Sequence, residues 1–279
     1  MIGYKNINNI FFIFALSHLI IWTIVPSITN NNLPLDTIET LAWGSNLDWG
    51  FDKHPPMSAF FIEVFFKIFG AQDWAYYLLS QIFVLIAFYY VFKFASEILR
   101  NINLALISIL LIESIYFYNF TTPEFNVNVC QLPFWSLVVY YSWRIYSSKN
   151  IKLSDCFLVG IFAAIGFLSK YLFIYLLISI DLLFIYLIFL KKTKKFDFKY
   201  LITLEVFLVL LIPHLIWLNN NDFVSIFYGL KRTGLEESVL LDHIKYPLIF
   251  LFKQIGILIP FFFLVFLITK KIYFKFNLK

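Results

Sequence analysis

Charged side chains are scarce in this chain, in which only 14% of the 279 residues are Asp, Glu, Lys or Arg. A water-soluble domain carries about 25% charged residues, so the composition excludes a soluble globule. It also excludes an intrinsically disordered chain, which requires low hydrophobicity, because 61% of the residues are hydrophobic. The class that remains is an integral membrane protein.

Cysteine is nearly absent as well. The chain has two cysteines, Cys130 and Cys156, and the topology predicted below puts them at opposite membrane faces, so we expect no disulfide framework. The net charge of +5 does not indicate a nucleic-acid partner. In a membrane protein, the informative property is which loops carry the lysines.

Long apolar runs are abundant, and a membrane-spanning helix needs about 20 mostly apolar residues. Eight predicted spans cover residues 10–28, 74–95, 103–120, 132–146, 154–169, 171–190, 200–218 and 247–269. The stretch 57–69 is apolar but short and holds Glu63 and Lys67, which favours a re-entrant or interfacial helix. We therefore predict an all-α integral membrane protein, a polytopic bundle of about eight transmembrane helices formed by a single domain, residues 1–279.

The loop charges predict the orientation of these spans, because lysine and arginine concentrate in cytoplasmic loops. The basic set, predicted to be cytoplasmic, comprises Lys5, Arg100, Arg144, Lys149, Lys152, Lys191, Lys192, Lys194, Lys195, Lys199, Lys270, Lys271, Lys275 and Lys279. The opposite loops hold Asp36, Glu39, Asp48, Asp52, Asp73, Glu124, Asp222, Glu236, Glu237 and Asp242. Two long segments, residues 29–73 and 219–246, are thus predicted to face outward.

The first outward segment contains a short predicted helix with two acids. Pro34 and Asp36 suit a helix start, with Asp36 near the N-cap. Glu39 follows three residues later, on the same helix face. Two such carboxylates can act as a general base with a helper, or as a divalent-metal site. The alternative interpretation is an ordinary helix start with a solvated glutamate.

The same segment continues with a basic pair before two prolines. Pro55 forces His54 into an extended conformation, and Pro56 is tolerated in the first turn of the next helix. Lys53 and His54 thereby lie beside a helix N-terminus, where phosphate binds readily. The alternative interpretation is a membrane-interface anchor, in which Lys53 reaches the lipid headgroups.

Other polar side chains interrupt the apolar pattern further along the chain. Lys170 does so at the end of a predicted span, and charges within membranes are functional by default, although a lysine near a helix end can also reach the interface. Glu124, Asn126 and Asn128 form a polar turn between two spans, where asparagine is common for conformational reasons alone.

The remaining polar residues within or near the spans carry no assigned role. Glu113 is expected to pair within the bundle, although the sequence identifies no partner. His18 and His214 are interpreted as interfacial residues in preference to catalytic ones. The segment 231–237 is interpreted as a solvated loop in preference to a lid.

Three blocks in register resemble the polyprenyl-phosphate-sugar-dependent glycosyltransferases of the GT-C fold. The resemblance is greatest to the bacterial branch related to dolichyl-phosphate-mannose protein mannosyltransferases and to the lipid A aminoarabinose transferase. The blocks are LDTIETLAWG (35–44) with GFDKHPPM (50–57), TPEFNVN (122–128) with QLPFW (131–135), and GIFAAIGFLSKY (160–171). Together they extend the resemblance over about residues 10–190.

The resemblance implies an activity and a location. A sugar passes, with inversion, from a lipid-phosphate carrier to an acceptor at the outer (periplasmic) face of the inner (plasma) membrane. Asp36 matches the family's acidic residue, which acts as a base or orients the acceptor. Thr37 occupies the position where the family often has glutamate, and Glu39 instead fits an Asp-x-x-Glu pattern.

The resemblance also implies binding residues for the donor. Lys53 or His54 matches the basic residue before the proline pair, a phosphate contact, and Lys170 matches a basic residue at a helix end on the outer side. A pocket for the sugar or acceptor would be lined by Glu124, Asn126 and Asn128. The resemblance specifies no cofactor, and Asp36 with Glu39 permits a divalent cation without requiring one.

Three functions stay open at this point. The first is a glycosyltransferase whose acceptor is lipid A, another glycolipid, a polysaccharide or a protein. The second is a transporter or flippase for lipid-linked sugars, although such proteins tend to have repeated halves and the sequence shows no repeat. The third is an inactive relative, because the family usually has further spans after the eighth, so the chain is expected to be a short subtype, a truncated product or a fragment.

Overall fold

The computed structural model describes residues 4–232 and 241–269, and all the regular structure within these ranges is helical. The α-helices are α1 (Tyr4–Thr29), α2 (Leu35–Gly44), α3 (Met57–Phe69), α4 (Asp73–Leu99), α5 (Ile102–Glu113), α6 (Val127–Ser147), α7 (Leu153–Ser169), α8 (Ile174–Ile185), α9 (Lys199–Asn220), α10 (Val224–Arg232) and α11 (Asp242–Thr269). The predicted all-α polytopic architecture is confirmed.

Among the described residues, five helical segments are long and apolar enough to cross a membrane. They are Ile7–Thr29, Asp73–Leu99, Tyr171–Leu190, Lys199–Asn220 and Asp242–Ile268. The third of these consists of a 3₁₀ turn, α8 and a terminal π turn. The other three predicted spans correspond to α5 and α7, which are apolar but shorter, and to α6, which has 21 residues.

The predicted span 103–120 was too long at its C-terminal end. Helix α5 ends at Glu113, and a 3₁₀ turn follows at Tyr116–Tyr118. Polar side chains donate hydrogen bonds to carbonyl groups in the last turn of the helix. Ser114 Oγ donates to Leu111 O (2.6 Å), and Asn119 Nδ2 donates to Glu113 O (2.5 Å). These bonds satisfy groups that a longer helix would have used, so the chain turns away.

The bundle is built around a row of consecutively packed helices. Helix α6 packs between α4 and α7, α7 packs against α9, and α1 and α5 pack against α4. Its centre is rich in aromatic side chains, and the largest fully buried ones are Tyr76, Tyr77, Phe88, Phe125, Tyr140 and Phe173. Both cysteines are free and buried.

A polar cluster inside the bundle joins three of these helices. The His18 side chain of α1 lies 3.1 Å from Glu113 Oε1 of α5 and 2.9 Å from Gln81 Oε1 of α4. The expected pairing of Glu113 within the bundle is thus confirmed, and its partner is His18. Because an unpaired charge in an apolar interior is costly, this contact lets α1, α4 and α5 pack together.

One end of the bundle carries two short helices and is called the site end below. Helices α2 and α3 pack against each other there, and α3 also contacts α4, α6 and α7. The bounds of α3, Met57–Phe69, are those of the predicted short helix. Ala59 and Ile62 are fully buried on its packed face, while Val64 and Ile68 are exposed.

The close approach of α7 to α9 at Gly160 provides a test of the helix packing. A Cβ atom at Gly160 of α7 would lie 2.8 Å from Thr203 O and 2.8 Å from Val206 Cβ of α9, whereas one at Gly256 of α11 would meet nothing within 4 Å. We expect Gly160→Ala to destabilise the bundle by about 1–3 kcal/mol through overpacking. Gly256→Ala should be neutral or slightly stabilising, because alanine favours helix.

The measurement is the thermal unfolding of both purified variants in the same detergent. A melting temperature of Gly160→Ala equal to or above that of Gly256→Ala would contradict the close packing of α7 on α9.

Candidate active site

The first turn of α2 meets the connection between α5 and α6. Asp36 N donates to Glu124 Oε1 (3.1 Å), Asn126 Nδ2 donates to Asp36 Oδ2 (3.3 Å), and Thr37 Oγ1 donates to Phe125 O (3.2 Å). Residues about ninety positions apart in the sequence therefore form one polar junction.

Asp36 does not cap its own helix. Helix α2 begins after Pro34, Asp36 lies in the first turn, and no side chain of its own segment bonds the first N–H groups. Glu124 fills that role from the α5–α6 connection by accepting the Asp36 N–H. The Asp36 carboxylate lies in the first turn of α2, where the positive end of the helix dipole attracts a negative charge.

The carboxylate that electrostatically couples to Asp36 is Glu124. Burial raises the pKa of the half-buried Glu124, and the negative charge of Asp36 raises it further, while the N–H of Asp36 acts in the opposite direction. A carboxyl group with a raised pKa therefore faces the Asp36 carboxylate, an arrangement suited to acid–base work. The sequence indicated the Asp36–Glu39 pair and missed this one.

Glu39 has another partner. Its carboxylate accepts a hydrogen bond from Lys53 Nζ, and both side chains are about one-third exposed (32% and 34%). This bond raises the pKa of Lys53, so Lys53 is a cation at neutral pH. A partly exposed pair adds little stability, but it fixes the position of the Lys53 ammonium beside α2.

His54 is held next to this pair by an aromatic contact. Its ring lies 5.8 Å from that of Trp43, edge to face. Burial lowers the pKa of His54 to about 4, the cations of Lys170 and Arg232 contribute, and Glu39 and Asp36 oppose the shift. At neutral pH, His54 therefore offers a hydrogen-bond donor or acceptor and no positive charge.

Lys170 comes from the opposite side of the site. It follows the last residue of α7, in an extended conformation that ends the helix, and its Nζ donates to Asn128 Oδ1 in the first turn of α6. Burial lowers the pKa of Lys170, as does the charge of Arg232, while Asp36 raises it. Nearby Asn126 accepts the N–H groups of Asn128 (2.9 Å) and Val129 (3.2 Å) and thereby begins α6.

An apolar cavity of about 500 Å³ extends from this point between α4, α5 and α6. Its lining includes Phe88, Phe117, Tyr118, Asn128, Gln131 and Trp135. Asn128 both lines the cavity and accepts the hydrogen bond from Lys170. A cation therefore lies at one boundary of an apolar space within the bundle.

Within residues 4–232 and 241–269, no three His, Cys, Asp or Glu side chains form a group that could hold a metal ion. Asp36 and Glu39 are engaged instead by Asn126 and Lys53, respectively.

Residues 53–217 match the protein family described as dolichyl-phosphate-mannose-protein mannosyltransferase, a match that covers more than half of the chain. The chain belongs to this family. It is therefore a membrane glycosyltransferase, and the predicted GT-C relationship is confirmed. A search of the curated proteins and one of the solved structures gave no match.

The matched region of this mannosyltransferase-family protein does not include every candidate residue. Its limits enclose Lys53, His54, Glu124, Asn126, Asn128 and Lys170. Asp36 and Glu39 precede it, and they join it through the contacts with Asn126 and Lys53.

Arg232 is a site residue that the sequence did not reveal. It lies in the last turn of α10, after the family match ends, and its charge acts on both His54 and Lys170. The segment 231–237 was expected to be a solvated loop, but Lys231 and Arg232 are helical, and residues 233–237 lie outside the described residues. No local sequence pattern indicates Arg232, because its proximity to His54 and Lys170 depends on the tertiary structure.

The lowered pKa of His54 predicts a pH dependence. The unfolded chain binds this proton near pH 6.5 and the folded chain only near pH 4, so the folded state loses stability as pH falls through this window. We expect the melting temperature of the wild type to fall more steeply between pH 6.5 and 4 than that of His54→Gln. Parallel pH profiles, measured by thermal unfolding in one detergent, would show that the His54 ring titrates normally.

Proposed function

We propose that this membrane glycosyltransferase transfers a sugar from a polyprenyl-phosphate carrier to a cell-envelope acceptor on the outer face of the inner (plasma) membrane. The observation that best supports this proposal is that Asn128 both lines the apolar cavity and accepts a hydrogen bond from Lys170. A lipid phosphate has the same two parts, an apolar chain and a charged head.

In this proposal the carrier's chain occupies the cavity between α4, α5 and α6. The apolar lining would stabilise a hydrocarbon chain by roughly 25 cal/mol for each Å² removed from water. The phosphate then lies near Lys170, with Lys53 as a second cation and His54 as a neutral hydrogen-bond donor. Charge-assisted hydrogen bonds of this kind are about twice as strong as neutral ones.

The reaction needs a base and a stabilised leaving group. The acceptor hydroxyl or amine attacks the anomeric carbon and gives its proton to the Asp36 carboxylate, while the bond from that carbon to the phosphate oxygen breaks. The electron pair stays on the lipid phosphate, whose added negative charge the cations stabilise. Glu124, Asn126 and Asn128 surround the region between base and phosphate, where a sugar would bind.

The charge distribution supports an outward-facing site. Asp36, Glu39, Asp48 and Asp52 occur in the α1–α4 connection, whereas the cluster Lys191, Lys192, Lys194 and Lys195 connects α8 to α9. Such basic loops stay in the cytoplasm.

We infer a glycolipid as the acceptor, with a polysaccharide or a protein as the other outcomes of the assay below.

The first test replaces the proposed base. In membranes supplied with a labelled polyprenyl-phosphate sugar, we expect Asp36→Asn to lower the transfer rate by at least about 100-fold, because an amide cannot accept the proton. Asp73→Asn is the matched control, since Asp73 is also in the first turn of a helix, α4, but outside the site.

Mass spectrometry of the labelled products identifies the acceptor in the same assay. Equal transfer by wild type and Asp36→Asn would eliminate Asp36 as the base. Labelled carrier that crosses the membrane without any product would favour the flippase function.

The second test replaces the proposed phosphate ligand. Lys170→Met keeps an unbranched side chain one atom shorter and removes its charge. We expect the KM for the lipid-linked donor to rise about 10- to 100-fold, as for a lost charged hydrogen bond. Lys67→Met is the matched control, because Lys67 is 68% exposed and pairs with Glu63 on α3. An equal rise in both variants would indicate a general effect of membrane-surface charge.

A further inference from the structure

A buried chain of hydrogen bonds connects four segments of the site end. His214 Nδ1 lies 2.6 Å from Trp49 O, His214 Nε2 lies 2.9 Å from Tyr171 Oη, and Tyr171 Oη lies 2.6 Å from Ser225 Oγ. The exposed fractions are 0% for His214 and 1% for Ser225. The proposed reaction uses none of these side chains.

The chemistry of the partners determines the direction of the chain. The Trp49 carbonyl can only accept, so His214 Nδ1 carries a proton and donates it. Both ring nitrogens contact uncharged groups in a buried place, which favours the neutral imidazole. Nε2 then accepts from the Tyr171 hydroxyl, and the Tyr171 oxygen accepts from Ser225. All the bonds therefore have one direction, from Ser225 to Tyr171 to His214 to Trp49.

A second contact holds the same part of the α1–α4 connection. Trp217 Nε1 donates to Asp48 Oδ2 (2.8 Å), and the Trp217 ring is stacked on His214 with centroids 6.1 Å apart. Gly50 lies against that ring, where any Cβ atom would come within 2.3 Å of Trp217. Residues 48–50 are thus held against one face of α9 by polar and steric contacts together.

Three residues of the hydrogen-bond chain are close in sequence to charged residues of the site. Trp49 precedes Lys53 by four residues, Tyr171 directly follows Lys170, and Ser225 is two helical turns before Arg232 on one face of α10. These groups come from three segments that are far apart in the sequence. The His214 imidazole joins the α1–α4 connection to Tyr171, and the Tyr171 hydroxyl joins α10 to both.

We propose that His214 and Tyr171 are positioning residues that hold the α1–α4 connection and α10 as one unit, so that Lys53, His54 and Arg232 face Lys170 across a common space. This inference rests on the proposed function for its purpose, since these groups would bind the donor phosphate. The coupling between the two segments is a physical property that can be measured without any substrate.

The experiment is hydrogen–deuterium exchange on the purified full-length protein. Tyr171→Phe removes one hydroxyl and with it the bonds to both His214 and Ser225. We expect the exchange of amides in residues 48–56 and in residues 224–232 to rise together, by about three- to tenfold, which corresponds to the net contribution of a hydrogen bond. Tyr175→Phe, one turn further along α8 at a side chain that is 65% exposed, should leave both segments unchanged.

A pair of substitutions at His214 tests the polarity of the chain. Glutamine carries an N–H and a C=O and can donate to Trp49 while accepting from Tyr171, whereas leucine can do neither. We expect His214→Gln to retain most of the protection and His214→Leu to lose it. Exchange that rises in only one of the two segments, or equally in Gln and Leu variants that both remain folded, would overturn the proposal.

The transfer assay gives an independent readout. Tyr171→Phe should raise the KM for the donor while Tyr175→Phe does not. If neither the wild type nor any variant transfers sugar, but Tyr171→Phe still raises the exchange of both segments together, the proposed function fails and the positioning role stands.

Discussion

The junction between the first turn of α2 and the α5–α6 connection determines where the candidate site residues of this protein lie. A helix N-terminus has N–H groups without partners, and here a glutamate from a distant connection satisfies one of them. The same contact brings the Asp36 carboxylate to Asn126. Because Asn126 also begins α6, the acid on α2 and the asparagine that bonds Lys170 are fixed relative to each other.

Ionisable groups in an apolar bundle are stable only where partners compensate their burial. Four such groups at the site end have specific partners: Glu39 pairs with Lys53, Lys170 with Asn128, and Asp36 with Asn126. The partners of Asp36 and Lys170 are neutral asparagines, which hold these two charged groups in place without neutralising their charges. Such an arrangement leaves charge available for a ligand, which is the property that a phosphate-binding enzyme needs.

The family match and the geometry support different parts of the functional conclusion. The match covers residues 53–217 and establishes a membrane glycosyltransferase. It does not reach Asp36 or Arg232, which the fold brings to the site from either side. In the proposed function, the apolar cavity beside Asn128 would hold the hydrocarbon chain of the donor. The hydrogen bonds from Ser225 to Trp49 connect segments that are far apart in the sequence.

The sequence by itself determined the class, the helices and most of the polar candidates. Hydrophobic runs define helices because every backbone polar group in a membrane must be satisfied within the helix, and so residues 57–69 were predicted with the correct bounds. Local rules could not predict that Glu124 would contact Asp36 or that Lys53 would pair with Glu39. Nor could they predict that a buried His214 would bond both Trp49 and Tyr171. Those pairings join residues from 14 to 165 positions apart, and only the packing of the helices decides which of them meet.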